Sequence, residues 1–355
     1  MSVSSFIEPD ESTAEELQLS SSSSKRKQTS LNGSHLVIYL VKNYPTYFII
    51  NFDKLNYCSS LVPLKSIEDE PNYKFVEGNL YIKKSSKIFK EYNVDIVLHL
   101  AAESHVDLSF FNPLDFSLTN VYGTHVLTHV ANEYHVKLFV HMSTDEVYGG
   151  DCSEETLEET IFQPSNPYAA TKAAAECIVM SYWRSYQLPV IVVRANNIYG
   201  PHQYPDKVIP KFISLLQRDR SCCIHGNGAT IRNFIYVDDV IKGIDILLHK
   251  GTPGEVYNIG SKIGISILEL ARYLIRKVKN IEEPEEINKY ISFGTDRIYN
   301  DTQYIIGTNK ISQLGWKLKI DWENGISKTI DWYQKNFSNW EGAESALSPF
   351  PKSLC

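Results

Sequence analysis

From residue 35 onward, short apolar runs alternate with longer stretches whose apolar positions recur every three to four residues. Tyr47–Phe52 reads as a strand ending at Asp53, followed by strands at Tyr73–Glu77, Asp95–Leu100, Leu138–Ser143 and Val190–Arg194. Helical periodicity fills the intervals at His35–Asn43, Ser85–Tyr92, Val121–His135 and Tyr168–Tyr186. Strands that are apolar almost throughout are buried on both faces. The pattern therefore predicts an α/β chain with a doubly wound parallel sheet. Ligands of such sheets sit beyond the carboxyl ends of the strands.

After about residue 200 the rhythm loosens, and Pro, Gly and Tyr become commoner. Lys207–Gln217, Ile265–Val278 and Trp322–Phe337 read as helices joined by loops. This predicts a principal domain over 35–200 and a smaller C-terminal α/β region over 201–350, mainly substrate-binding, with some strands returning to the main sheet. Residues 1–34, with their serine run and Lys25-Arg26-Lys27, read as a disordered leader, since so few apolar groups cannot offset the entropy of ordering. No internal repeat is evident.

Composition narrows the partners. The 355 residues carry a formal charge of −7, so no global basic field exists for nucleic acid or for an anionic membrane. The longest apolar runs fall far short of a membrane span, and no secretory signal is readable. The 6 cysteines form no CxxC pair and no metal-ligand spacing. Reduced, mostly buried thiols of a cytoplasmic protein are the expectation, with no metal.

The candidate chemistry clusters at strand ends. Ser143-Thr144-Asp145-Glu146 places a hydroxyl and two carboxylates just past an apolar run, and Tyr168 and Lys172 follow at helical i,i+4 spacing. An ammonium beside a phenol favours phenolate, a base near neutral pH. Adjacent carboxylates beside that base offer a second proton-transfer couple. A bare YxxxK arises often by chance; the upstream carboxylate pair makes this combination specific. Asp53, closing the first strand, is placed to accept hydrogen bonds from an adenosine ribose, which favours NAD over NADP. Asn79 closes the next strand where adenine would lie. Ala101 and Ala102 leave room for a dinucleotide, and Ser104 and His105 follow in a polar loop. In the second half Lys207 and Arg232 supply local cations for phosphate, whereas Lys211 reads as solvated surface charge.

Taken together, HLAAESHVD, STDEVYG, NPYAATKAAAE, RANNIYGPHQYPDKVIPKFI, HGNGATIRNFIYVDDV and YNIGS resemble the extended short-chain dehydrogenase/reductases. Within them the chain is similar to the dTDP-glucose 4,6-dehydratase family of vertebrate type, from about residue 35 to 351. The resemblance implies a Rossmann-like fold, bound NAD, a nucleoside-diphosphate sugar (dTDP-glucose first) and a homodimer built on the Tyr168 and Val121 helices. It further implies that Tyr168, held as phenolate by Lys172, and Thr144 act on the sugar 4-hydroxyl. Glu146 would be the base at C5 and Asp145 the acid toward the 6-hydroxyl. Ser143 would join the cofactor wall, and Asn197, Lys207, Arg232 and Asn258 would line the sugar-nucleotide site.

Three departures from the family pattern stand out. Where a strand and glycine-rich turn should precede His35 stands Lys25–Gly33, with one glycine and no apolar run; either Gln28–Gly33 substitutes imperfectly or the chain is a truncated or alternatively spliced product. Asn79 replaces an Asp. Ile298 and Gln303 replace the Pro and Arg of a DRP…DxRY pattern. On the residues alone, two other readings stay open: an NAD-dependent nucleotide-sugar epimerase or decarboxylase, and a non-catalytic nucleotide-sugar-binding protein.

Overall fold

A computed structural model describes residues 31–348 apart from 57, 59, 81–83, 151–153 and 341, and apart from the side chains at 84 and 85. Most of the expected leader, Lys25-Arg26-Lys27, Cys152 and Cys355 lie outside the described residues. The leader's expected end is corrected: residues 31–34 belong to a helix that is described from Leu31 and runs to Asn43. Leu31, Leu36 and Leu40 seal its inner face into the main core, which outweighs the modest helix cost of Gly33.

The strands in chain order are β1 (Ile49–Asp53), β2 (Tyr73–Glu77), β3 (Ile96–His99), β4 (Leu138–Thr144), β5 (Val190–Ala195) and β6 (Asn197–Tyr199). They continue with β7 (Cys222–His225), β8 (Ile231–Tyr236), β9 (Val256–Ile259), β10 (Gly264–Ser266) and β11 (Ile291–Gly294). A parallel sheet runs β3-β4-β5-β9, so a strand from the second half joins the first. The even and odd residues of β5 explain why its pattern never alternates. Ile191 and Val193 face a core shared with the Val208–Leu216 and Val237–Lys250 helices. Val190 and Val192 face a second core with Leu127, Val130 and Val179. Both faces are covered, so Val190–Val193 are apolar without alternation, and the charged Arg194 that follows is buried against Glu176.

β1 and β2 pair in parallel as a separate sheet. Among the described residues no ladder joins β1 to β3. A strand ahead of the Leu31–Asn43 helix would lie parallel to β1 and unite the two sheets; the described chain starts after that position. The helix is held instead by polar contacts to the Val237–Lys250 helix. Tyr39 and Tyr44 both donate to Asp245, at 2.7 and 2.6 Å.

The second half adds a three-stranded sheet β10-β8-β6 and the parallel pair β7-β11. Among the described residues no helix is long and apolar enough to cross a membrane. The described cysteines are free, and the expectation that they are mostly buried is corrected: Cys222 is buried, Cys58 and Cys223 are half-buried, and Cys177 is exposed.

Candidate active site

β4 is buried along its whole length and delivers Thr144 to the carboxyl edge of the sheet. There Thr144 caps a short turn, Asp145–Tyr148, by accepting a hydrogen bond from the Glu146 amide at 3.3 Å. The cap forces the two carboxyl groups apart into different surroundings. Asp145 accepts from the Asn196 amide at 2.7 Å and from the Thr144 hydroxyl at 3.2 Å. Burial, and then the neighbouring Glu146, push its carboxyl up to about 7. Glu146 accepts from the Asn166 amide at 2.9 Å. Burial raises it too, and Asn166 and the cations Arg232 and Arg297 offset that rise only in part. Two adjacent carboxyls held in unlike environments are the physical basis for one acid and one base.

Asn166 serves two elements at once. Its side-chain oxygen accepts from the Ala169 amide at 2.8 Å and starts the Pro167–Tyr186 helix, while its nitrogen holds Glu146. That helix brings Tyr168 to the turn, where its hydroxyl shares a hydrogen bond with Thr144. The expected phenolate is corrected. Burial and the nearby Glu146 push the Tyr168 phenol well above its ordinary range. Lys172 lies one turn deeper and donates to the Met142 carbonyl at 2.6 Å. Its own burial lowers it to about 8. Spacing of i,i+4 puts two groups on one helix face; it does not decide which neighbour dominates their solvation.

Behind the turn, Arg194 donates to both oxygens of Glu176 and, at 2.7 Å, to the Tyr148 hydroxyl. Tyr148 in turn donates to Asn258 at 2.8 Å. Asn258 is therefore corrected from a pocket-lining residue to a fully buried one, its amide donating to the Thr156 carbonyl. It braces the wall beneath the site.

The residues expected on the cofactor side surround the strand ends. Asp53 closes β1, its carboxylate accepting from the Leu55 amide at 2.7 Å and raised to about 6 by burial. Asn79 follows the end of β2, half-buried. Ala101, Ala102 and Ser104 form the loop after β3, with Ala101 and Ser104 exposed. Ser143 is buried, and its hydroxyl has no hydrogen-bond partner among the described residues. An orphaned hydroxyl beside Thr144, with a desolvated carboxylate at the end of β1, fits the two ends of a dinucleotide. The turn expected to hold its pyrophosphate lies outside the described residues.

On the substrate side, His105 caps the Val106–Phe111 helix and lies 3.9 Å from Asp206, which pairs with Lys207 at 3.0 Å. Burial and the Lys207 charge lower His105 to about 4, so it is neutral. Arg232 donates to the Asn300 side chain and to the Asp301 carbonyl, both at 2.9 Å. Asn197 is half-buried on β6. Lys211 is also corrected: it is a half-buried donor to the Ser348 carbonyl at 2.6 Å. Sequence reasoning missed Asn196 and Asp301 as contributors. The first had a signal, being one of two adjacent polar residues that follow an apolar strand; the second opens the DxRY-like stretch Asp301–Tyr304, which was read only for its missing Arg. Among the described residues no cluster of three or more His, Cys, Asp or Glu could hold a metal.

A sequence model described as GDP-mannose 4,6 dehydratase matches residues 31–329. The chain belongs to the GDP-mannose 4,6-dehydratase family. Within this family, dTDP-D-glucose 4,6-dehydratase of Bos taurus is 51% identical to it over 319 residues, covering 90% of each chain. The solved dTDP-glucose 4,6-dehydratase of Streptomyces venezuelae, with NAD and TYD bound, matches with a TM-score of 0.83 and 32% identity over 88% of this chain and 97% of that one. The Bacillus anthracis enzyme, solved in complex with NAD, gives a TM-score of 0.80 and 36% identity, covering 90% and 97%.

Proposed function

We propose that this chain is an NAD-dependent nucleoside-diphosphate-glucose 4,6-dehydratase, with dTDP-glucose as the first substrate to test. The observation that carries this reading is the pair Asp145 and Glu146, one held by Asn196 and the other by Asn166, beside Tyr168 and Thr144. The Asp53 carboxylate would hold the adenosine ribose, Asn79 the adenine, and Ser143 with Ala101 and Ala102 the nicotinamide end. NAD, when bound, supplies a hydride acceptor that later returns the hydride, so that no net redox change results.

The chain's own groups then divide the proton transfers. Tyr168 and Thr144 meet at one point, where the sugar 4-hydroxyl fits. Tyr168 rests protonated, so it must lose a proton before taking that of the 4-hydroxyl. That proton leaves to solvent, because Asp145 keeps its own for the departing oxygen; Thr144, donating to Asp145, steadies the hydroxyl that it shares with Tyr168. Oxidation at C4 acidifies C5. Glu146 takes the C5 proton as the C6–O bond breaks, Asp145 donates to the departing oxygen, and water leaves. Glu146 returns a proton to C5 after hydride reaches C6. Lys207, His105 and Ser104, with Arg232 and Asn197 opposite, would receive the sugar nucleotide.

Incubation with dTDP-glucose and NAD, followed by the alkali-developed absorbance of the 4-keto-6-deoxy sugar, tests the reading. Turnover should fall as pH rises through about 7, because Asp145 is needed protonated. Product from UDP-sugars alone would overturn the dTDP assignment. Among the described residues β1 and β3 each keep one edge without a ladder, which favours one rival, a sugar-nucleotide binder without turnover. Calorimetry with NAD on cofactor-stripped protein separates the two; no heat at large excess favours the rival.

The homodimer also belongs to this proposal. Phe111, Leu114, Leu118 and Tyr122 are 40%, 80%, 43% and 52% exposed at helical spacing, beside the Pro167–Tyr186 helix. An apolar stripe of this kind is an association surface. Leu118→Glu is expected to shift the sedimenting species from twice the 40.5 kDa chain mass to one chain. A wild-type monomer at micromolar concentration would sink the idea. Four free thiols among the described residues support a cytoplasmic location; a tagged chain found in the secretory pathway would contradict it.

A further inference from the structure

Residues 300–307 cross behind the catalytic turn as a strap. Thr156 donates from its amide to the Ile305 carbonyl at 2.8 Å, and Gly307 donates back to Thr156 at 3.0 Å. Asp301 is its inward-facing residue, 3% exposed. One carboxylate oxygen accepts from the Gly150 amide at 3.1 Å. The other accepts from the Ser165 hydroxyl at 2.5 Å and from the Tyr304 hydroxyl. Its backbone carbonyl accepts from Arg232 at 2.9 Å. A group accepting three hydrogen bonds and donating none is an ionised carboxylate.

We propose that Asp301 is a positioning residue for the acid/base pair, joining the segments that carry Glu146, the Asn166 cap and Arg232. The inference rests on the dehydratase reading and deepens it. Gly150 follows the Asp145–Tyr148 turn by two residues, and Ser165 precedes Asn166 directly, so the carboxylate fixes the two segments that set Glu146. Gly150 carries a second mark of this contact. A Cβ there would lie 2.2 Å from the Asp301 Cβ, so only glycine lets the carboxylate reach the amide.

Asp301 also brings charge. Glu146 is faced by Asp145 on its own turn, Tyr168 on the long helix, Arg232 on β8, Arg297 just ahead of the strap, and Asp301 and Tyr304 on the strap. The two arginines favour its ionised form, and Asp301 opposes it. Asp301 therefore sets both where Glu146 sits and at what pH it becomes a base.

Asp301→Asn removes the charge and turns one acceptor into a donor facing donors. Its kcat is expected to fall at least about tenfold, with NAD affinity by calorimetry within about twofold of wild type. The acid limb of kcat/KM should move to lower pH, because a negative neighbour of Glu146 is gone. Tyr304→Phe removes one donor and no charge; its kcat should fall with the limb unmoved. It decides the question if Asp301→Asn does not fold. Unchanged kcat, or an unmoved acid limb in Asp301→Asn, overturns the proposal. Wild-type inactivity would count against the dehydratase reading alone. Amide exchange then decides the inference: faster exchange at Gly150 and Ala169 in either variant sustains it, and unchanged exchange overturns it.

Discussion

Glu146→Gln will cut formation of the 4-keto-6-deoxy product by about two to four orders of magnitude, the range general-base catalysis supplies. The substitution is nearly isosteric, and the carbonyl of the new side chain still accepts from Asn166, which holds Glu146 at 2.9 Å. What disappears is the ability to accept a proton at C5. Tyr168 and Thr144 act at C4 and remain in place, so the absorbance of reduced nicotinamide should still appear and then persist instead of decaying. A second consequence follows from the same pair. Glu146 is the neighbouring charge that helps hold Asp145 up near 7; neutralising it lowers Asp145, and the alkaline limb of any residual activity should move to lower pH. Deuterium exchange at C5, followed by mass spectrometry, is the direct measurement. Exchange at the wild-type rate would show that another group is the base.

The elements that could be read from the chain are those whose burial is uniform. β4 and β5 are buried at every position, so near-continuous apolar runs, broken by His141 in β4 and by polar residues at the strand ends, located them to within a residue or so. The helix expected at Tyr168–Tyr186 was found through its periodicity, and the structure adds Pro167 at its first position and Asn166 as its cap. The first turn of the Leu31–Asn43 helix was not: residues up to 34 read as a polar leader, and the core contacts of Leu31 and Leu36 are tertiary facts. Site residues were legible where chemistry and strand end coincide, as at Thr144–Glu146. The groups that tune them were not. Asn196 meets Asp145 across 51 residues and Asp301 meets Gly150 across 151, and no spacing rule reaches that far. The state of Tyr168 was misjudged for a related reason. Proximity of Lys172 was readable, but its bond to the Met142 carbonyl and the weight of two buried carboxyls were not.

Replacing residues 25–30 with a five-residue apolar strand and a Gly-x-x-Gly-x-x-Gly turn leading into Leu31 will tighten NAD by about a hundredfold and raise the melting temperature. The family's sheet places that strand parallel to β1, and a strand feeding the Leu31–Asn43 helix has only this position open to it. Among the described residues β1 pairs with β2 alone and β3 with β4 alone, so each has one edge free to accept ladder bonds. A turn rich in glycine would bring backbone N–H groups and the helix N-terminus to the pyrophosphate. Each hydrogen bond to a charged group contributes about 1.5–3 kcal/mol, and two decades of affinity require only about 2.7 kcal/mol. The helix itself needs little adjustment, since Tyr39 and Tyr44 already fix it to Asp245. A rise of at least about 5 °C in melting temperature is expected from joining the two sheets. Calorimetry and thermal unfolding of both proteins, stripped of cofactor, measure the two effects separately. If neither changes, the chain's own residues ahead of Leu31 already complete the sheet and the phosphate cradle. A gain in stability without a gain in affinity would instead place the pyrophosphate contact elsewhere, with the Lys207 and Arg232 cations as the next groups to mutate.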